Sequence, residues 1–148
     1  MRITQEADYA LRMCSALAQS DAPMGAPKLS QMLSIPTAST SKVLRKLMLS
    51  GIVKSTRGAN GGFSLEKSPD TITLRQVIEA VDGKIAIRHC LEECHICNFQ
   101  SNKNECRFHC VFEQLNSLIQ SRLDSLSIGD MVNLKIPVEE LTTRFLKN

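Results

Sequence analysis

The sequence predicts a mainly α-helical protein with one small β-hairpin, built as a winged helix-turn-helix followed by a long dimerisation helix. Two short amphipathic helices lie close together within residues 28–50, and a glycine-rich hairpin follows them directly, which is the order of a winged helix. An apolar stripe of about six helical turns then runs through the second half of the chain. With 148 residues and 43% hydrophobic content, the chain can bury a core without disulfides.

The first half begins with an amphipathic helix that we expect to start after Thr4, its N-cap, and to run to about Ala18. Cys14 lies on the apolar face of this helix, so it is predicted to be a buried core thiol. Residues 21–27 have the composition of a loop, and a short helix is predicted from Lys28 to Leu33, because Pro36 disfavours helix in the residue before it.

A second short helix and a hairpin complete this half. The helix is predicted to be capped by Thr37 or Ser39 and to end at Gly51. Its expected inward side chains are Val43, Leu44, Leu47 and Met48. Strands are predicted at 52–56 and 62–65, joined by an RGANGG turn whose glycines and asparagine permit positive φ.

Three further helices are predicted in the second half: one from Thr73–Leu74 to Asp82–Gly83, a long one over 105–126 and a short one over 127–132. The long stripe consists of Phe108, Val111, Phe112, Leu115, Leu118, Ile119, Leu123 and Leu126. Its length suggests that part of it faces a second copy of the chain. The expected divisions are the winged helix-turn-helix domain (1–83), a cysteine-rich loop (84–110), a dimerisation helix with a short final helix (105–133) and a tail (134–148).

Charge is distributed unevenly along the chain. Residues 22–65 contain no Asp or Glu, and the first 67 residues carry nine basic against four acidic side chains, whereas the remainder carries nine against eleven. A basic half joined to a slightly acidic half indicates that the first half meets a polyanion. No segment resembles a signal peptide or a membrane span, so we expect a cytoplasmic protein that does not bind membranes.

The predicted second helix has the chemistry of a DNA recognition helix. Polar and basic side chains near its N-terminus can reach base edges and phosphates: Ser39, Thr40, Ser41, Lys42 and Arg45. The expected contacts outside it are Lys28 and the wing residues Arg57, Gly58, Asn60 and Gly61. The glycine turn lacks the signature of a P-loop, and no catalytic constellation is evident, so we do not expect an enzyme.

Soft metal ligands are concentrated in one segment. Five of the six cysteines and all three histidines fall between residues 89 and 110, and the cysteines are Cys90, Cys94, Cys97, Cys106 and Cys110. Cysteine clusters in a reducing compartment more often bind metal or do redox work than form structural disulfides.

Spacing alone leaves three interpretations of this segment. One is a zinc site made by the Cys94–Cys97 and Cys106–Cys110 pairs. Another is an iron–sulfur cluster held by Cys90, Cys106 and one or both of the middle cysteines, with His109 or Cys110 as a further ligand. The third is a metal-free switch in which neighbouring thiols form disulfides.

Several runs of sequence together resemble the Rrf2 family of bacterial winged-helix transcription regulators. These runs are MRITQEADYALRM, KVLRKLMLSGIVKSTRGANGGFSLEK, TITLRQVIEAVDG, the cysteine loop and SLSIGDMV. They cover nearly the whole chain in the family's order. The resemblance implies homodimers crossed by the long helix, palindromic DNA sites and, in many members, a cluster held by three cysteines just before that helix.

The resemblance also implies roles for individual residues. Ser39, Ser41 and Lys42 match the family's recognition-helix contacts, and Arg57 matches its wing arginine. Cys90 matches the first cluster cysteine and Cys106 the last. His109 matches a histidine that serves as the fourth ligand in a family member that regulates iron–sulfur cluster biogenesis.

The middle ligand departs from the family pattern, because Cys94 and Cys97 stand where members have one cysteine, and Cys110 is extra. The Glu-Glu-Cys-His run favours Cys94 by similarity to a nitric-oxide-responsive branch of the family, while distance from Cys106 leaves Cys97 open.

Taken together, the resemblance and the cysteine segment lead us to expect a regulator, most simply a repressor, that senses iron–sulfur status, redox state or nitric oxide. The expected cofactor is a 2Fe–2S cluster, with 4Fe–4S or zinc as alternatives.

Overall fold

The computed structural model of the chain describes residues 3–58, 60–92 and 102–147. The predicted class is confirmed: this part of the chain is mostly helical and contains a two-stranded antiparallel hairpin. The helices are α1 (Gln5–Ala18), α2 (Ala26–Leu33), α3 (Thr37–Leu49), α4 (Leu74–Asp82), α5 (Arg107–Asp124), α6 (Ile128–Val132) and α7 (Val138–Lys147). The strands are β1 (Val53–Thr56) and β2 (Gly62–Leu65). Single turns of 3-10 helix lie at Pro69–Thr71, His89–Leu91 and Lys103–Glu105.

Helix α1 lies at the centre of the molecule, against α3, α4, α6 and β2. Its threonine cap is confirmed, since the Thr4 side chain accepts a hydrogen bond from the amide of Ala7. Cys14 is fully buried, as predicted, within the main core. The largest completely buried side chains of that core are Met13, Leu29, Leu44, Leu47, Ile72 and Ile128. Helices α1 and α3 therefore share one apolar interior.

The hairpin pairs Val53 with Leu65 at its base and Thr56 with Gly62 at its tip. Met24, from the loop before α2, adds an isolated bridge to β2 through two hydrogen bonds of 2.9 Å with Phe63. This bridge was absent from the sequence prediction, which treated residues 21–27 only as a loop. It ties the hairpin to the segment that leads into α2.

The chain after α5 returns to the main core. The amide of Leu74 donates to the carbonyl of Leu126 (2.9 Å), and the amide of Ile128 donates to the carbonyl of Ile72 (2.8 Å). Thr73 and Ser127 each form a capping box at the start of their helices. The short helix α6 therefore packs with the N-terminal half, although the sequence grouped it with the long helix.

Several local predictions differ from the structure. Helix α2 begins two residues earlier than expected, at Ala26, because Pro27 suits the first turn of a helix. The N-cap of α3 is Pro36, which forms no side-chain cap, rather than Thr37 or Ser39. Met48 was predicted to face inward but is exposed. The region expected as a tail contains α7.

Candidate DNA-binding surface and metal centre

A tight turn fixes α2 against α3. Ser34 adopts a left-handed conformation with φ of 53°, and the buried side chain of Ile35 anchors the turn to the core. The Ser30 hydroxyl donates to the Ile35 carbonyl (2.7 Å) and lies 3.2 Å from the hydroxyl of Thr37. The angle between the two helices is thus held by both packing and hydrogen bonds.

The outward face of α3 carries four of the ten predicted DNA contacts. Ser41, Lys42 and Arg45 are exposed, and Ser39 is half-buried beside them. Lys28 is exposed on the first turns of α2. The helix-turn-helix therefore presents hydroxyl and cationic groups on one surface, which is the combination that contacts bases and phosphates.

Thr40 does not belong to this surface. Its side chain is fully buried, and its hydroxyl lies 3.2 Å from the Pro36 carbonyl, one helical turn earlier. The prediction that it contacts DNA was wrong because Thr40 shares the inward face with Val43, Leu44 and Leu47. That helical spacing was visible in the sequence and should have placed Thr40 in the core.

The wing presents Arg57 and Asn60 to solvent at the tip of the hairpin. Gly58 has φ of 115°, a conformation that side chains rarely tolerate, and the amide of Gly61 donates to its carbonyl (2.9 Å). A Cβ on Gly61 would lie 2.3 Å from the carbonyl oxygen of Thr56, so only glycine fits this turn. These two glycines shape the wing and keep it narrow.

Sequence reasoning missed one member of this surface, Glu6 of α1. Its carboxylate pairs with the ammonium groups of Lys42 and, at 2.9 Å, Lys46 on α3. Hydrogen bonds from Lys42 and then Lys46 hold the pKa of Glu6 below its ordinary value. Lys46 also donates to the carbonyl of Val81 at the end of α4 (2.8 Å). The pairing joins residues about forty positions apart, so no local pattern could reveal it.

The first part of the cysteine-rich segment is fastened to α5. The Asn116 side chain accepts from the amide of Ile87 (3.1 Å) and donates to the carbonyl of Ile85 (3.0 Å), to which Gln120 also donates. Ile85 itself is buried in a second small cluster with Ala7 and Ile78, beside Ile119 and Leu123. This polar clamp was not predicted, because an isolated amide on a helix has no distinctive sequence signal.

Arg88 adds a cationic contact to the same junction. Its guanidinium lies 5.3 Å from the ring centre of Phe112 and 5.7 Å from that of Phe108. The 3-10 turn with Cys90 follows immediately and packs against α5. Cys90 is therefore held close to the helix whose first turn carries the other candidate ligands.

The beginning of α5 supplies three candidate ligands. Cys106 is the N-cap residue but caps no amide with its side chain, and the Cys110 thiol lies 3.5 Å from the carbonyl of Asn104. His109 is only 8% exposed, and its Nδ1 has no hydrogen-bond partner among the described residues. A buried imidazole nitrogen without a partner is costly, so this atom is suited to an additional ligand.

The structure does not bring the whole predicted ligand set together. Within residues 3–58, 60–92 and 102–147, no three His, Cys, Asp or Glu side chains are close enough to hold a metal ion. Cys90, Cys106 and Cys110 are free thiols. Cys94 and Cys97 lie outside the described residues, so the choice of middle ligand stays a prediction.

The long helix α5 leaves part of its apolar surface uncovered in the single chain. Phe108, Val111, Leu115 and Leu118 are 60, 58, 44 and 48% exposed. Their spacing of three, four and three residues places them on one narrow stripe, as in the seam of a coiled coil. The neighbouring face packs through Ile119 and Leu123 on the small cluster at the end of α4. In the described ranges no helix is long and apolar enough to cross a membrane.

The family model for Rrf2, described as an iron-dependent transcriptional regulator, matches residues 3–134. The chain belongs to the Rrf2 family. The resemblance seen in the sequence is thereby confirmed, and the chain is a transcriptional regulator with a DNA-binding helix-turn-helix.

Individual Rrf2 relatives match most of the chain. An HTH-type transcriptional regulator of Aquifex aeolicus is 33% identical over 128 residues, which cover 86% of this chain and 88% of that protein. The HTH-type transcriptional regulator IscR of Aliivibrio salmonicida is 29% identical over 134 residues, covering 89% and 77%.

Solved structures share the fold. CymR, the global cysteine regulator of B. subtilis, superposes with a TM-score of 0.72 at 22% identity and covers 89% of this chain and 96% of its own. T. potens IscR gives 0.70 at 22% identity, with coverages of 92% and 89%. These likenesses establish the winged-helix architecture.

Proposed function

We propose that this Rrf2 regulator is a homodimer that binds a palindromic operator and changes its DNA affinity with the state of an iron–sulfur cluster. Cys90, Cys106 and one of Cys94 and Cys97 would hold the cluster, with His109 as fourth ligand. The observation that carries this proposal is the clamp between residues 85–88 and α5, which fastens Cys90 to the helix that begins with Cys106 and His109.

The donor set suits such a group. Thiolates are soft ligands for iron, and an imidazole can replace one thiolate, as it does in other clusters. The helix N-terminus at Cys106 favours a negatively charged ligand, and the unpartnered Nδ1 of His109 would gain a partner. When bound, a cluster supplies a centre whose charge and integrity change with oxidants, iron supply or nitric oxide.

The residues around the clamp connect this centre to the DNA-binding half. Ile85 packs against Ala7 of α1 and Ile78 of α4, and Asp82 accepts hydrogen bonds from the amide and hydroxyl of Thr4 (3.3 and 2.5 Å). A shift of the segment that carries Cys90 would therefore act on α1 and α4, which both pack against α3. A coupling of this kind amounts to about 1–3 kcal/mol in typical regulators.

The proposed DNA contacts come from three elements, α2, α3 and the wing. Ser39, Ser41, Lys42 and Arg45 of α3 would enter the major groove, with Lys28 at its edge. The wing would place Arg57 at the minor groove or its phosphates, and Gly58, Asn60 and Gly61 would allow the backbone to approach closely. Thr40 is left out of this set because it is buried.

The uncovered stripe of α5 supports a dimer crossed along that helix. Two copies related by a twofold axis would cover each other's Phe108, Val111, Leu115 and Leu118 and present their recognition helices to two half-sites. Twofold symmetry in the protein requires a matching symmetry in the operator, which is why the proposed site is palindromic.

The cofactor is tested by anaerobic purification followed by an absorption spectrum and by iron, sulfide and zinc counts per chain. Visible absorption with iron and sulfide supports the cluster. A colourless protein with one zinc per chain would replace it by a structural zinc site, and absence of metal with reversible disulfides would support a thiol switch.

Ligands are assigned by single substitution to Ala or Ser. We expect loss of visible absorption for Cys90→Ser and Cys106→Ser, retention for Cys14→Ser as the matched cysteine control, and an altered spectrum for His109→Ala. The same comparison at Cys94, Cys97 and Cys110 identifies the middle ligand. Fluorescence anisotropy with labelled duplex DNA, before and after cluster removal, measures the coupling, and equal affinities in both states would exclude a sensing role.

A further inference from the structure

Glu6 is the acidic side chain that reaches the cationic face of the recognition helix. The segment from residue 22 to residue 65 has no acid of its own, yet the fold brings this carboxylate from α1 into contact with Lys42 and Lys46. One carboxylate thus shares its two oxygens between two lysines of α3. The positive charge available to DNA is therefore smaller than the sequence of this half indicates.

The two lysines are held differently. Lys46 is fixed on two sides, by Glu6 at 2.9 Å and by the Val81 carbonyl at 2.8 Å, and its side chain is 34% exposed. Lys42 reaches Glu6 from the open side, and its side chain is 61% exposed. Lys46 therefore acts as a staple between helices, whereas the ammonium group of Lys42 can exchange its carboxylate partner for a phosphate.

We propose that Glu6 is a positioning residue that competes with DNA phosphate for Lys42 and so weakens the sequence-independent part of DNA binding. The inference rests on the proposed role of Lys42 in the DNA-binding surface. Binding to random DNA is almost entirely electrostatic, so a carboxylate that occupies a phosphate-contacting cation reduces it directly. The carboxylate also lies where it would repel an approaching phosphate.

The test compares Glu6→Gln with the wild type, using a fluorescein-labelled duplex of random sequence and the protein as purified. Glutamine keeps the shape and one acceptor oxygen but removes the charge. We expect about 3- to 10-fold tighter binding at low salt, because exposed ion pairs are individually weak and a dimer has two. The slope of log K against log salt should steepen by about 1 for each phosphate that gains a lysine.

Two controls separate charge from position. Asp21→Asn removes the same charge from an exposed position in the loop between α1 and α2 and is expected to change the affinity by less than about 2-fold. In the double variant Glu6→Gln/Lys42→Gln the gain should vanish, because the freed cation is missing. Thermal melting of each variant checks that the fold is retained. A further variant, Glu6→Asp, shortens the side chain that carries the carboxylate and should give an intermediate affinity.

The outcomes distinguish this inference from the DNA surface on which it rests. If Lys42→Gln weakens binding but Glu6→Gln leaves both affinity and salt slope unchanged or lowers them, Glu6 only holds the helices together and the inference fails. If Lys42→Gln itself changes neither quantity, the proposed role of Lys42 fails. If the salt dependence steepens equally in the double variant Glu6→Gln/Lys42→Gln, Glu6 does not compete for Lys42 and the inference is overturned.

Discussion

The uncovered stripe on α5 allows the strength of the proposed dimer to be tested at one position, Leu118. In the single chain this side chain is 48% exposed, which leaves roughly 80 Å² of apolar surface for a partner to cover. Leu118→Asp removes that burial twice in a twofold dimer. At about 25 cal/mol per Å² the loss is about 3–4 kcal/mol, equivalent to a rise of about 100- to 1000-fold in the dissociation constant. Burial of the new carboxylate would add to this cost.

The assay is sedimentation velocity over a series of protein concentrations. We expect wild-type protein to sediment as a dimer at micromolar concentration and Leu118→Asp as a monomer. Ser117→Asp is the matched control, because it introduces the same charge at an exposed position beside the stripe. The reasoning would be refuted if Leu118→Asp kept the wild-type mass, or if Ser117→Asp dissociated as readily.

Three further predictions follow from individual contacts. Burial raises the pKa of the Cys14 thiol to about 12, so the native protein should protect this cysteine from alkylation at pH 8. Stability should fall as pH rises above about 9, because the thiol then ionises in the unfolded chain but not in the folded one. Rapid labelling of Cys14 in the native protein would contradict this. Asn116→Ala should leave the Ile87 amide unpaired and cost about 1–2 kcal/mol, measured by urea unfolding and by faster hydrogen exchange at that amide. Because the pKa of Glu6 is lowered in the folded state, its contribution to stability is present above about pH 4.5 and is lost on acidification. Glu6→Gln should therefore reduce the fall in the free energy of unfolding at acid pH. An unchanged fall would argue against the ion pairs.

Periodic patterns predicted the elements of the fold, but side-chain partners depended on contacts distant in sequence. The caps at Thr4 and Thr73 could be predicted because a cap and its helix are adjacent in the chain. Thr40 was misassigned because residue type was weighted above helical spacing, although the spacing placed it inward. The pairing of Glu6 with α3 requires knowledge of how the helices pack, so the sequence offered no signal for it.

The sequence indicates where the candidate metal centre lies but not which side chains support it. Clustering of cysteines and histidines located the segment, and the structure adds the amide of Asn116 and the guanidinium of Arg88 as its supports. Such supports arise from single polar side chains on α5, which have many possible roles in any helix. Composition could therefore indicate the candidate metal ligands but not what holds them in place.

The connections at both ends of α5 make this helix a lever. Its first ten residues are joined to residues 85–88 through Phe108, Phe112 and Asn116. The chain just after its end is joined to Ile72 and Leu74. The 18 residues of α5 span about 27 Å. In the proposed dimer crossed along α5, a rotation of about 5° between the two helices would displace their far ends relative to each other by about 2 Å. Each end would carry a winged helix with it. Half-sites on one face of DNA repeat every 34–36 Å or so, so such a tilt would change the separation of the two recognition helices relative to that fixed spacing.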